Sequence, residues 1–226
     1  MHDTLLIQLL KAKAAKRPAV LATKLMSDEQ ILIYPEENKE ETWLVKAASE
    51  ALKADKSGTI TSPDADLWFL NVFNPPLRLI LVGAVHIAQP LAHMAALAGY
   101  DVTVVDPRAA FASHDRFPGV ALSTDWPDAA LGQLGVDART AIVTLTHDPK
   151  LDDPALTAAL NSPAFYIGSL GSKKTHAARL ERLRRAGFDE AALARIHGPV
   201  GLAIGAKSPA EIAIAILAQI TETLRA

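Results

Sequence analysis

The stretch "LILVGAVHIAQPLAHMAALAGYDVTVVDPR", residues 79–108, decides how the rest of the chain is read. An apolar run, a glycine turn, a helix-patterned segment and a second apolar run ending in an acid make up a βαβ unit of the nucleotide-binding type. Against the fingerprint G-x-G-x-x-G/A, Gly83 supplies the tight turn and Ala88 the close packing of helix on sheet. Asp106 stands where a ribose hydroxyl is bound, and Arg108 follows it at the same strand end. The middle glycine is missing. Val85 occupies the position where a pyrophosphate approaches the backbone, so its branched side chain is expected to block that approach or impose a different turn. His86 lies at the mouth of the following helix, as a ligand contact or as a cap, and the helix start is itself an anion site.

Downstream of Arg78 the same alternation continues. Apolar runs "RLILVG", "DVTVVD", "GVALS", "AIVTLT" and "AFYIGSLG" alternate with helical patterns over 87–98, 127–134, 154–160 and 173–186. The pattern predicts an α/β fold, a doubly wound Rossmann-like parallel sheet with helices on both faces. A last helix opens at "SPAE": Ser208 as N-cap, Pro209 at the first helical position and Glu211 at the third compose a capping box.

Upstream, residues 1–75 read as a smaller N-terminal α+β region. A short helix over the apolar residues 5–10, with Asp3 or Thr4 ahead of it, precedes a hairpin formed by "RPAVLAT" and "QILIYP". A helix over 41–54 and two strands, "GTIT" and "DLWFLNVF", follow. The boundary falls at Asn74-Pro75-Pro76, since paired prolines continue neither helix nor strand, which leaves 76–226 as the Rossmann-like domain.

Three further loops reach the carboxyl rim of the predicted sheet, where open α/β sheets bind ligands. "YIGSLGSKKTH", 166–176, repeats the logic of strand, glycine turn and helix start: Gly168 and Gly171 free the backbone, Ser169 and Ser172 offer hydroxyls, and Ser172 is the N-cap. Lys173 and Lys174 oppose the helix dipole by about 0.3–1 kcal/mol each, a placement that an anion would explain, with His176 one turn on. "LTHDPKLDDPAL", 145–156, carries His147 just past a strand end, and Asp153-Pro154 reads as N-cap and first helical residue rather than as part of a metal site. "RIHGPVGLAIGAKSPAEI", 195–212, places His197, Gly201 and Gly205 in an irregular segment that makes a flap. The basic run "RLERLRRAGF", 179–188, reads as a solvated helix face.

Composition narrows the function classes. The chain has 226 residues, half of them apolar, a formal net charge of −2 and no cysteine. Near-neutral charge gives no electrostatic case for nucleic acid or a membrane surface. No apolar run reaches the roughly 18–20 residues of a membrane span and the N-terminus shows no signal-peptide cleavage site, so a cytoplasmic protein is expected. Without cysteine the chain carries no disulfide, no thiolate nucleophile and no persulfide.

Taken together, "GAVHIAQPLAHMAALAGYDVTVVDPR", "RFPGV", "TLTHDPKLDDPAL", "AFYIGSLGSKKTHAARLERLRRAGF" and "IHGPVGLAIGAKSPAEIAIAILAQI" resemble the xanthine dehydrogenase accessory protein family of the XdhC/CoxI type over about residues 78–224. The N-terminal cysteine motif usual in that family is absent. The resemblance implies an accessory protein or chaperone with no chemical step of its own, which binds molybdenum cofactor as molybdopterin, supports its sulfuration by a separate cysteine desulfurase, and aids its insertion into a molybdenum hydroxylase client. Further partners that this reading admits are a second copy, as a homodimer, and a separate XdhC/CoxI-type subunit. On it Gly83, His86, Ala88 and Asp106 form one wall of the cofactor site, Gly168, Ser169, Gly171, Ser172, Lys173 and His176 the other, and His197 to Gly205 the flap, with Val85, Arg108 and His147 also counted among the cofactor-binding residues. The alternative from another class is an NAD(P)-dependent oxidoreductase using the same rim, with Asp106 on the ribose and His147 or His176 as general acid.

Overall fold

The computed structural model describes residues 3–38 and 40–226, with the side chain of Asp3 outside the described set. The chain divides into two compact units, one ending at Pro75 and one running from Pro76 to Leu224.

The first unit comprises α1 (Asp3–Ala14), β1 (Ala19–Lys24), β2 (Gln30–Ile33), α2 (Trp43–Ala54), β3 (Gly58–Thr61) and β4 (Leu67–Phe73). Its strands form an antiparallel sheet in the order β2-β1-β4-β3. Val20, Ala22, Trp68 and Leu70 alternate onto one face and bury against Leu44 and Ala48 of α2, whose start is capped by the Thr42 hydroxyl accepting from the Val45 N–H. Leu9 and Ala12 of α1 pack with Ala19 and Leu32 of the sheet. The capping role suggested for Asp3 lies outside the described side chains.

The second unit contains β5 (Arg78–Val82), α3 (Ala88–Leu97), β6 (Asp101–Val105), β7 (Ala121–Ser123), α4 (Pro127–Leu134) and β8 (Thr140–Thr144). It continues with α5 (Pro149–Leu160), β9 (Tyr166–Ser169), α6 (Lys173–Arg185), α7 (Glu190–Leu193), β10 (Ile196–His197) and α8 (Pro209–Arg225). All six strands are parallel, in the order β7-β6-β5-β8-β9-β10. Counted from β5 as the first, that order is 3-2-1-4-5-6, the dinucleotide-binding arrangement.

Each central strand is buried on both sides, so its alternate residues feed two cores. Leu79 and Leu81 of β5 face Leu91, Ala92 and Ala95 of α3 and Ala213, Ile216 and Ile220 of α8. Ile80 and Val82 face Leu131 of α4, Ala155, Leu156 and Ala159 of α5, and Leu183 of α6. Each large aliphatic buried this way contributes about 1.5–3 kcal/mol, which is why the strands read as unbroken apolar runs.

The capping box on α8 forms as the sequence predicts, with Ser208 accepting from the Glu211 N–H and the Glu211 carboxylate accepting from the Ser208 N–H. Helix α5 differs from expectation. It begins at Pro149 with Asp148 as its cap, accepting from the Lys150 N–H, and Pro154 lies inside the helix. Asp148-Pro149 carries the same cap-and-proline signature as Asp153-Pro154, and starting there brings the buried Leu151 and Asp152 into the helix.

Candidate functional site

The sheet reverses its order of growth between β5 and β8, and with all strands parallel the turns after β5, β6, β8, β9 and β10 leave the same edge. A crevice at the carboxyl ends of the two strands is the ligand-binding position of this topology. The two turns that flank it touch. Gly83 adopts φ +110°, and a Cβ there would lie 2.5 Å from Thr146 Cγ2, so only glycine both makes the turn and admits the β8–α5 loop.

The β5–α3 turn, residues 83–87, is closed upon itself. Val85 is half-buried and packs into the α3 side of the core, and the helix starts only at Ala88, fully buried as its packing role requires. The residue flanking the helix is Ile87 with no side-chain cap, so His86 is an exposed side chain beside the turn and not the cap. Asp106 has no exposed surface. Its carboxylate accepts from the Ala84 N–H at 2.8 Å, from the Arg108 N–H at 3.0 Å, and from Arg108 Nε and Nη2 at 2.9 and 2.8 Å. Burial pushes the Asp106 pKa up, but these donors outweigh it and hold the carboxyl below its ordinary value. Arg116 completes the closure by donating to the Ala84 and Phe111 carbonyls. Asp106 therefore holds the turn and Arg108 in place.

The β9–α6 turn is built otherwise. Ser169 is fully buried against Thr144, their hydroxyls 2.5 Å apart, so it supports the turn from below rather than lining the rim. Gly168 also lies under the surface, where a Cβ would meet Val200 at 2.6 Å. Gly171 follows, and Ser172 caps α6 by accepting from the Thr175 N–H, with Lys173 and Lys174 exposed in the first turn. His176 packs onto Gly198, its Nδ1 buried and without a hydrogen-bond partner among the described residues; burial, helped by the nearby Arg179 charge, lowers its pKa. His147, after β8, is exposed.

Beneath this turn lies a charged pair whose arginine belongs to the run expected on a solvated helix face. Arg179, the first residue of the "RLERLRRAGF" run, is 1% exposed. Its Nη2 donates to the Leu170 carbonyl at 2.7 Å and stands 3.7 Å from Asp152 Oδ2. Asp152 is itself buried, accepts from Thr146 Oγ1 at 2.6 Å, and is pushed by burial to a pKa of about 6. The available signal is spacing: Arg179 lies four residues before the buried Leu183, on the inward stripe of α6.

The segment after β10 is tied down from below. His197 stacks on Tyr166 with ring centroids 4.6 Å apart, and Gln219 of α8 accepts from both the Tyr166 hydroxyl and the Gly201 N–H. Burial lowers the His197 pKa and raises that of Tyr166. Gly205 is exposed with φ +77°. Among the described residues no group of three or more metal-ligating side chains is assembled.

This geometry coincides with a known family over its whole extent: residues 79–220 match the XdhC Rossmann domain. The chain belongs to that family. The XdhC domain here is 32% identical over 157 residues to the molybdenum cofactor insertion chaperone PaoD of Escherichia coli, covering 68% of this chain and 43% of that protein. It is 35% identical over 156 residues to a probable xanthine dehydrogenase subunit of Bacillus subtilis, covering 69% of this chain and 45% of that one. A crystal structure described as a xanthine dehydrogenase from Bacillus halodurans superposes with a TM-score of 0.70 at 25% identity, over 98% of this chain and 64% of the other. The chain thus spans less than half the length of these two curated relatives. Among the described residues no helix is long and apolar enough to cross a membrane.

Proposed function

We propose that this chain is an accessory protein that binds molybdenum cofactor in its molybdopterin form and supports its insertion into a xanthine dehydrogenase-type molybdenum hydroxylase. The observation that carries the reading is the β9–α6 turn, where a capped helix start, Gly171 and two exposed lysines gather at the carboxyl edge of the sheet in an XdhC domain. Molybdopterin brings a phosphate and a broad polar ring system. First-turn amides of α6 with Lys173 and Lys174 suit the phosphate. His176, His197 and the 198–207 segment suit the ring system, with His147, Arg108 and His86 at the margins.

The cofactor, when bound, is cargo that supplies the molybdenum centre of the client. This chain's residues hold it, orient it and shield it from water. With no cysteine among its 226 residues, the chain cannot carry the sulfur itself, so a cysteine desulfurase in the cytoplasm is the sulfur source we assign. A separate XdhC/CoxI-type subunit or a homodimer would complete the shield. The NAD(P) alternative loses its anchor, because both Asp106 oxygens already accept from the chain.

Anaerobic incubation with molybdenum cofactor, gel filtration, and assay of the protein fraction for molybdenum and oxidised pterin test the reading. Co-elution near one equivalent is expected, and K173E with K174E reduces it at least about tenfold while the fold is kept. Retention of NADH without pterin would overturn it.

A further inference from the structure

Arg179 carries donors that nothing among the described residues uses. A guanidinium offers five N–H groups in a planar fork. Nη2 is bonded to the Leu170 carbonyl, whereas Nε and Nη1 are buried with no hydrogen-bond partner among the described residues. Asp152 at 3.7 Å offers charge without a hydrogen bond, and its Oδ1 is already taken by Thr146. The charge of Asp152 accounts for a cation at this position, but a buried donor left unpaired is penalised, so the two nitrogens without a partner among the described residues call for a further explanation.

The position of the fork gives the donors a purpose. Side chains of a helix lean toward its N-terminus, so Arg179 reaches back two turns to the loop that precedes α6. There it meets Gly171, where a Cβ would stand 3.6 Å from Nη2 and 3.2 Å from Thr175. Glycine at 171 keeps the approach from the turn free of a side chain. The helix start and the buried fork thus converge on one place from two directions.

We propose that Arg179 is the recognition residue for a phosphate monoester seated at the N-terminus of α6, its Nη1, beside the Nη2 that reaches the turn, being the donor reserved for a phosphate oxygen. The assignment rests on the cofactor reading for the ligand's identity but not for its chemistry. Arg182, which pairs with Asp153 at 2.6 Å, is committed elsewhere, and Lys173 and Lys174 act as outer point charges without a fork.

The test is calorimetric titration with inorganic phosphate, run beside the molybdenum cofactor co-elution assay, on the full chain and three variants. R179M should weaken phosphate at least about tenfold, the loss of one or more charge-assisted bonds. R179K, which keeps the charge but not the fork, should recover only part of it. Where R179M fails to fold, the double variant R179M with D152N removes both buried charges and should fold while still failing to bind phosphate. Phosphate binding that depends on Arg179 in a chain that retains no cofactor supports the phosphate seat and refutes the cofactor reading. Cofactor retained equally by the chain and by a folded R179M overturns the role of Arg179 and leaves the cofactor reading standing. Phosphate affinity unchanged in R179M also overturns it.

Discussion

The two glycine turns at the carboxyl edge of the sheet, β5–α3 and β9–α6, have the same outline of strand, glycine and helix, and differ in how their charged groups are answered. In the β5–α3 turn the charged groups are answered within the chain, Asp106 by Ala84 and Arg108 and the Ala84 carbonyl by Arg116, and Val85 packs against the core. In the β9–α6 turn Ser172 answers one amide, two lysines extend into solvent, and Arg179 beneath keeps two nitrogens without a partner among the described residues. A motif marks where a chain turns. Which turn has donors to spare is decided by what the neighbouring side chains have already taken.

The comparison breaks most readily at Gly83. Gly83→Ala places a Cβ into Thr146 at a φ that only glycine tolerates, and should destabilise the protein by about 3 kcal/mol in urea unfolding. A cost under about 1 kcal/mol would mean that the β5–α3 turn and the β8–α5 loop are not locked together.

Asp152 gives the next effect, on the open side. Burial raises its folded-state pKa to about 6 from an ordinary 3.8, so the folded protein holds this proton more tightly than the unfolded chain. Its contribution is fully present below the ordinary value and is lost as pH rises through about 6, in the face of Arg179 and Thr146 and with Asp153 and Arg182 nearby. The stability difference between the protein and D152N should therefore change by on the order of 2 kcal/mol between pH 4 and pH 7. A pH-independent difference would contradict the buried state of this carboxyl.

Val85→Gly sharpens the contrast by restoring the fingerprint. It should lose about 1 kcal/mol of packing and gain no NADH fluorescence, because Asp106 remains occupied. The smallest pair compares the helix starts directly. Ser172→Ala should cost about 1 kcal/mol as a lost cap, while His86→Ala should stay within about 0.5 kcal/mol.

The layered fold was legible because period and punctuation agree: apolar runs at β5, β6, β8 and β9, and the Ser208 capping box, admit one reading each. The start of α5 was not, because two Asp-Pro pairs five residues apart carry the same signal and only burial of Leu151 and Asp152 chooses between them. Strand β10, two residues long, is too short to show a period. In the candidate site the turn positions were readable and their occupancy was not. Asp106 and Arg108 neutralise each other through folded geometry, and Ser169 is buried by a strand neighbour 25 positions away. Arg179 was hidden in a charged run whose other arginines, Arg182, Arg184 and Arg185, do pair near the surface.

The central claim is that the anion seat of this domain is the β9–α6 turn and not the fingerprint turn. Amide chemical-shift mapping of the 15N-labelled protein during titration with inorganic phosphate tests it most directly. Shifts concentrated at Gly171 to Thr175, with Ala84 to Ala88 unmoved, are the predicted result. Shifts concentrated at Ala84 to Ala88 would contradict it.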